Sequence, residues 1–352
     1  MVKKGIDALW LIPSANMYYL TDFWPTSQGG NILSILSKSD DAIFIVPEMY
    51  YEQVSKQSWI KDIRIWKERK EFDNILKDSV KELRLSSANV AIEDRIWAEF
   101  LMRIWKNFRG IRLSLVSDIL KGLRINKSEE EIKLMKKAGK IASEIMNTII
   151  RKIDVGMTEL EISGLIEYEG RKRGSEKMSF ETITSFSNHS SKPHNESGVK
   201  KLRKKDIIMI DFGPRFEKYC SDITRTFFIG KPSEEVIKVY KATEQAQRKA
   251  LSSVKSNMKA SDIDGAARDV FKEYGYERYF IHGTGHGVGL DIHEEPYLTK
   301  ESKSVIEEGM TFTIEPGIYI HNRFGIRIED TLLVTDDGYE VLTSFPKDLL
   351  II

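Results

Sequence analysis

Five short segments constrain this 352-residue chain more than anything else in it. They are IDFG around Asp211, SDITRT around Asp222, GTGHGVG around His286, TIEPG around Glu315 and RIED around Glu329. Each changes from apolar to charged residues where a buried strand should end in water. A charge in that position is costly to bury unless it is paired or bound to metal. Four carboxylates and one imidazole in such settings point to one shared site, a dinuclear metal centre, and hence a hydrolase.

Local patterning suggests how the five meet. The apolar run Ile207–Ile210 ends at Asp211, and Gly213-Pro214 signals a turn. The chain returns through Tyr219–Phe228, where Asp222, Thr224 and Thr226 share one face. Further on, Thr311, Thr313 and Glu315 share a face, His321–Arg323 reverses the chain, and Gly325, Arg327 and Glu329 share a face on the return. Two hairpins follow, each with two carboxylates.

The helices repeat in the same order. Ser128 with Glu131 and Thr158 with Glu161 form capping boxes. Ile132, Met135, Ala138, Ile141, Ala142, Ile145 and Ile149 follow the first box at helical spacing. Ser233–Val254 reads as a second long helix, and Ser261 with Asp264 as the start of another that ends near Gly275. A helix pair followed by acidic strands, met twice, predicts an internal duplication with two halves facing each other. Four bare carboxylates in one site would push one another's pKa values up severely. Two divalent cations balance them, and oxygen-rich ligation with one imidazole favours Mn or Co over a structural zinc site.

Other histidines stand near these segments. His286 lies in the Gly-rich run His282–Gly289, which no amphipathic helix follows, so a dinucleotide-binding reading is weak. Glycines there let the backbone approach a metal centre. His293 in His-Glu-Glu-Pro and His194 in Lys-Pro-His-Asn are candidates to bind a substrate carbonyl or amine and steady a tetrahedral intermediate. His189 and His321 read as loop residues.

Residues 1–120 read as a separate small α/β domain. Ala8–Ile12, Ile32–Leu36, Ala42–Val46 and Asn89–Ile92 are its strands, and Met49–Gln57, Asp73–Leu83 and Trp97–Phe108 its helices. All six tryptophans fall within it. Residues 121–127 read as a basic connector and 128–352 as the catalytic domain. Basic and acidic residues nearly cancel (54 against 53), so no global field recruits nucleic acid or an anionic membrane. The basic clusters Lys136–Lys140 and Lys200–Lys205 read as solvated faces. No apolar run reaches the ~18 residues of a membrane span. The single cysteine, Cys220, fits a reducing cytoplasm and reads as a small buried residue. Asp7 and Pro13 interrupt the stretch that imitates a signal peptide, which favours a first core strand.

The stretches 211–227, 282–296, 313–320 and 327–335 resemble, in order and spacing, the pita-bread metallopeptidases, which include methionine aminopeptidase, aminopeptidase P and prolidase. The resemblance implies an α+β protein, with a small α/β N-terminal domain and a pseudo-twofold pita-bread catalytic domain. It implies two divalent ions per subunit, Mn or Co with Zn or Fe as alternatives. Asp211 would chelate one ion, Asp222 and Glu329 would bridge both, and His286 and Glu315 would bind the other. Glu315 would also transfer a proton, while His194 and His293 contact substrate. His282 would support the site, Arg327 would be a structural or substrate-carboxylate partner, and Phe180 would wall a proline pocket.

The resemblance further implies hydrolysis of Xaa-Pro bonds in dipeptides, as in prolidase. Aminopeptidase P action on longer peptides is the alternative, and a metal-free binding module of the same fold a weaker one. Tyr297 stands where prolidases often carry an arginine for the dipeptide carboxylate, so a charge-assisted contact is lost. A cytoplasmic homodimer is also implied, with the aromatic loop Asp22–Pro25 as a candidate lid over a partner's site.

Overall fold

Ala8–Leu11 forms a central strand of a mixed six-stranded sheet. The strands run in the order Asp62–Trp66, Ala42–Pro47, Leu33–Ser37, Ala8–Leu11, Asn89–Ile92 and Arg112–Leu115. Leu9 and Leu11 face one core with Phe23 and Phe44, whereas Ala8 and Trp10 face the other with Phe72 and Phe100. Cover on both faces explains why the central strands are unbroken apolar runs. The two edge strands carry Asp62, Arg64 and Arg112 and are only partly buried. A search for apolar runs passes over them for that reason. Phe23 of the candidate lid loop is fully buried, edge-to-face with Phe44, and Trp24 packs edge-to-face on Tyr18.

The computed structural model describes residues 1–25 and 31–352. It divides into two units, Met1–Leu123 and Arg124–Ile352. The sequence boundary near residue 120 falls inside a helix, Ser117–Arg124. Leu120 of that helix is buried in the first unit's core, so the stretch 121–127 begins helical. Among the described residues, no helix is long and apolar enough to cross a membrane.

The second unit holds a nine-stranded sheet whose order displays the duplication. Ile223–Phe228 and Glu329–Thr335 lie antiparallel at its middle. Outward from the first lie Ile207–Phe212 and Ile183–Phe186, and outward from the second lie Thr311–Ile314 and Gly285–Gly287. Each triplet follows a helix pair, Glu129–Ile149 with Glu159–Lys172 and Glu234–Ser253 with Ala260–Glu273. Ile141, Ile145 and Ile162 cover one half of the sheet, and Val239, Ala246 and Phe271 the other. Full burial of each large side chain contributes about 1.5–3 kcal/mol.

Both early capping boxes form, at Ser128 and Thr158. The third does not. Its helix starts at Ala260 after Lys259, with no side-chain cap. Asp264 is fully buried and accepts from Thr284 N–H at 3.0 Å and Arg268 Nε at 2.6 Å. A carboxylate with such partners is not available to a helix end. Gly213-Pro214 is not the expected turn either. The chain reverses at Glu217 and Lys218, both with positive φ. Gly213 instead permits close approach, because a Cβ there would lie 1.6 Å from the Ser221 carbonyl oxygen.

Candidate metal centre

Strand alternation brings the acids to one face. Asp211 pairs with Thr224 across the first hairpin, Thr224 pairs with Glu329 across the pseudo-twofold, and Thr313 pairs with Thr331 across the second hairpin. Asp222 and Glu315 lie just beyond their strands' ends, where the backbone opens towards the site. Asp330 follows Glu329 and therefore points to the sheet's other face. There it meets Arg225 Nη2 at 2.7 Å and Lys347 Nζ at 2.6 Å. Of the two acids in RIED, only Glu329 belongs to the site.

Asp222, His286 and Glu329 each offer a ligand atom, all within 4.8 Å of one another. His286 Nε2 lies 3.3 Å from Glu315 Oε1 and 3.7 Å from Asp222 Oδ2. Asp211 joins through Arg327, whose Nη2 donates to Asp211 Oδ2. One oxygen each of Asp211, Asp222 and Glu329 is buried with no hydrogen-bond partner. Buried polar atoms are nearly always satisfied. Three orphaned carboxylate oxygens around one imidazole fit divalent cations, which take such oxygens as ligands.

The electrostatics agree. Burial, then repulsion from Glu329, Asp211 and Glu315, drives the Asp222 carboxyl well above its ordinary range. Burial and Glu315 do the same to Glu329. Burial pushes Glu315 up to about 7. Burial also lowers the pKa of His286, which keeps the imidazole neutral and able to ligate.

Threonine hydroxyls brace the centre across the halves. Thr224 Oγ1 donates to Glu329 Oε2 at 2.5 Å, and Thr331 Oγ1 donates to the Asp222 carbonyl at 2.9 Å. Thr313 Oγ1 accepts from His286 N–H at 3.1 Å and donates to Glu315 Oε1 at 3.2 Å. Gly285 lets the His286 strand approach, since a Cβ there would lie 1.9 Å from the Thr313 carbonyl oxygen.

Around the acids, His293 stacks edge-to-face on His286 with centroids 4.3 Å apart. His194 is exposed, next to Pro193, whose carbonyl accepts from Arg327 Nη1 at 3.3 Å. Tyr297 is 43% exposed and lies opposite His286 in the ladder, so the two share a face. Phe180 is half-buried and follows Ser179, whose N–H donates to Gly213 at 2.7 Å.

Arg327 does not fit the substrate-carboxylate role. It is 3% exposed, and its guanidinium is committed to Asp211, Thr224, Tyr319 and Pro193. It is an internal counter-ion. Tyr319 was not anticipated. Its hydroxyl accepts from Arg327 Nη1 at 2.6 Å and lies 3.0 Å from His282 Nε2. A lone tyrosine in an apolar strand, whose hydroxyl needs a partner, was the available signal. Burial, then Arg327, lowers the His282 pKa to about 3, so this ring is neutral. His189, read as a loop residue, places Nδ1 2.9 Å from the buried Glu159. Burial lifts the Cys220 thiol to about 12, which makes it an inert core group.

A carboxylate-lined, imidazole-bearing face on a duplicated α+β scaffold defines a metal-dependent hydrolase. Comparison with known proteins shows the family. The model of metallopeptidase family M24 matches residues 133–336, and that of the creatinase/prolidase N-terminal domain matches residues 1–126. An Xaa-Pro dipeptidase from Pyrococcus furiosus is 35% identical, over 99% of this chain and 97% of the relative. The recombinant prolidase from Thermococcus sibiricus superposes with a TM-score of 0.96 at 34% identity, over 100% of this chain and 96% of that one. The X-Pro aminopeptidase from Thermotoga maritima superposes with a TM-score of 0.86 at 33% identity, over 99% and 98%. The chain belongs to metallopeptidase family M24, and membership implies divalent metal at its site.

Proposed function

We propose that this chain hydrolyses Xaa-Pro bonds, in dipeptides by preference, with two divalent ions per subunit, Mn or Co. The observation that carries the reading is the set of three unpartnered carboxylate oxygens on Asp211, Asp222 and Glu329 around His286. Asp211, Asp222, His286, Glu315 and Glu329 would hold the ions. Bound divalent cations supply Lewis acidity and lower the pKa of water towards neutrality.

The chain's own groups do the rest. Glu315, whose Oε1 lies 3.3 Å from His286 Nε2, would hold or release a proton at its carboxylate. His293 and His194 flank the acids on exposed loops, where they can donate to a substrate carbonyl or to the oxyanion that develops from it. Phe180 offers an apolar surface for the proline ring. Thr224, Thr313 and Arg327 hold the acids in place.

Action on longer peptides is the second reading, and Tyr297 favours it. A phenol on the His286 face can donate to a substrate carboxylate but carries no charge to demand one. Metal-reconstituted enzyme is expected to cleave Xaa-Pro dipeptides faster than Xaa-Pro-Xaa tripeptides and to stop on chelation. The opposite order of rates would establish the aminopeptidase reading, and activity that survives chelation would remove the metal from both.

The reading extends to a cytoplasmic homodimer. A single buried cysteine leaves no intrachain disulfide to form. Sizing of active enzyme should find a dimer, and a fully active monomer would overturn that part.

A further inference from the structure

Outside the centre, a buried group of charges converges on one residue of the His-Glu-Glu-Pro segment. Glu294 receives Lys127 Nζ on Oε1 at 2.7 Å and Arg124 Nη2 on Oε2 at 2.5 Å. Arg124 Nη2 also reaches Asp291 Oδ2 at 2.9 Å. The Lys127 side chain is 1% exposed, that of Arg124 10% and that of Glu294 12%. The two cations belong to the stretch 121–127, which reads from sequence as a basic connector. Backbone contacts hold that stretch in place. Lys127 N–H donates to the Gly309 carbonyl at 2.9 Å, and Asn126 bridges Met310.

A buried ion cluster adds little net stability, because desolvation offsets most of the attraction. What it does provide is a fixed position. Glu294 opens the strand Glu294–Leu298, and His293 immediately precedes it. The bend that ends at His293 lets the two neighbours face different ways. Glu294 turns towards Lys127 and Arg124, while the His293 ring meets His286 at 4.3 Å. His293 is exposed, one residue from the largely buried Glu294.

We propose that Glu294, gripped by Lys127 and Arg124, is a positioning residue that fixes the His293 imidazole against His286. The catalytic consequence rests on the proposed function, in which His293 contacts substrate. The positioning itself does not. Freed from its two cations, Glu294 lets the 291–294 segment shift, and the His293 ring leaves a single orientation.

The test is the set of histidine Cε1–H resonances of the full chain loaded with Zn2+, a diamagnetic ion. The His293 resonance is identified by its loss in His293→Ala. Glu294→Gln is expected to shift or broaden that resonance and leave that of His189 unchanged. It is also expected to lower kcat about 10-fold, the lower end of the cost of removing a group that orients a functional imidazole, with metal content and KM nearly unchanged. On a His293→Ala background, Glu294→Gln should cost nothing further. An unmoved His293 resonance in Glu294→Gln overturns the proposal. So does an additional full loss on the His293→Ala background, which would mark a general structural role. If the resonance moves but His293→Ala is fully active, the positioning stands and the assigned role of His293 falls. Should Glu294→Gln not fold, Lys127→Gln opens the same grip from the other side and is read identically.

Discussion

The two halves of the catalytic unit supply the same number of acids but hold them differently. In the first half, Asp211 and Asp222 sit on one hairpin whose arms pair directly in the main sheet while its tip, Pro214–Arg215, pairs with Lys177–Met178, and the strand Ile223–Phe228 carries Thr224 straight across to Glu329. In the second, the hairpin is broken. Gly317–Ile320 and Phe324–Arg327 form a separate two-stranded ribbon, and Glu329 starts a new strand after buried Ile328. From this ribbon Arg327 reaches Asp211, and Tyr319 reaches Arg327. This half adds the imidazole of the ligand cluster, His286, while the first half adds His194 at its edge.

The same contrast holds one layer further out. Each half buries one carboxylate from its second helix against a loop. Glu159 accepts from Phe186 N–H at 2.8 Å and Gly198 N–H at 3.0 Å, securing the segment that leads to and from His194. Asp264 secures the segment that carries His286 through Thr284, and it also neutralises Arg268.

The largest effects should come from the acids that meet across the pseudo-twofold. Asp222→Asn and Glu329→Gln are each expected to lose more than about 100-fold in kcat/KM, beyond the usual cost of removing an orienting partner. Bound metal, measured by elemental analysis, should fall in both. Full metal content and activity in either variant would break the equivalence of the halves at the centre.

Metal removal should come next. In the metal-free chain, Asp222 and Glu329 are raised well above their ordinary range and Glu315 to about 7. The folded state therefore binds these protons more tightly than the unfolded state. Its stability is greatest below the unfolded carboxyl pKa of about 4.5 and falls as pH rises through about 7. Metal binding needs the same groups deprotonated and strengthens over the same window. The Tm gap between metal-loaded and chelated protein should therefore widen from pH 5 to pH 8. A constant gap would show that these acids do not carry the metal.

The smallest effects should separate the outer braces. Asp264→Ala strands the largely buried Arg268 guanidinium and is expected to cost about 3–5 kcal/mol. Glu159→Ala leaves unpaired amides and is expected to cost about 1–3 kcal/mol. Denaturant unfolding midpoints rank them, and equal costs would erase the difference drawn between the halves.

Much of this was legible before any coordinates. The acids announced themselves because a charge at the end of an apolar run is rare without a purpose, and strand alternation put Thr224 and Glu329 on the right faces. Capping chemistry located Ser128 and Thr158, since both boxes are closed within four residues. The same signal misled at Ser261 and Asp264, where a distant partner, Thr284, outcompetes the local one. Gly213-Pro214 misled in the same way, because the glycine answers a close approach from Ser221 and not a turn.

The sequence by itself determined the periodicities, the duplicated order, the four acid-bearing segments and the imidazole-bearing one, all of which are encoded in neighbours along the chain. Only the tertiary structure decided which charges face each other. Arg327, a candidate structural or substrate-carboxylate partner, pairs with Asp211, and Arg124 and Lys127 of the basic connector pair with Glu294. A charged side chain's role depends on what desolvates and pairs it, and those partners lie far along the chain in each case.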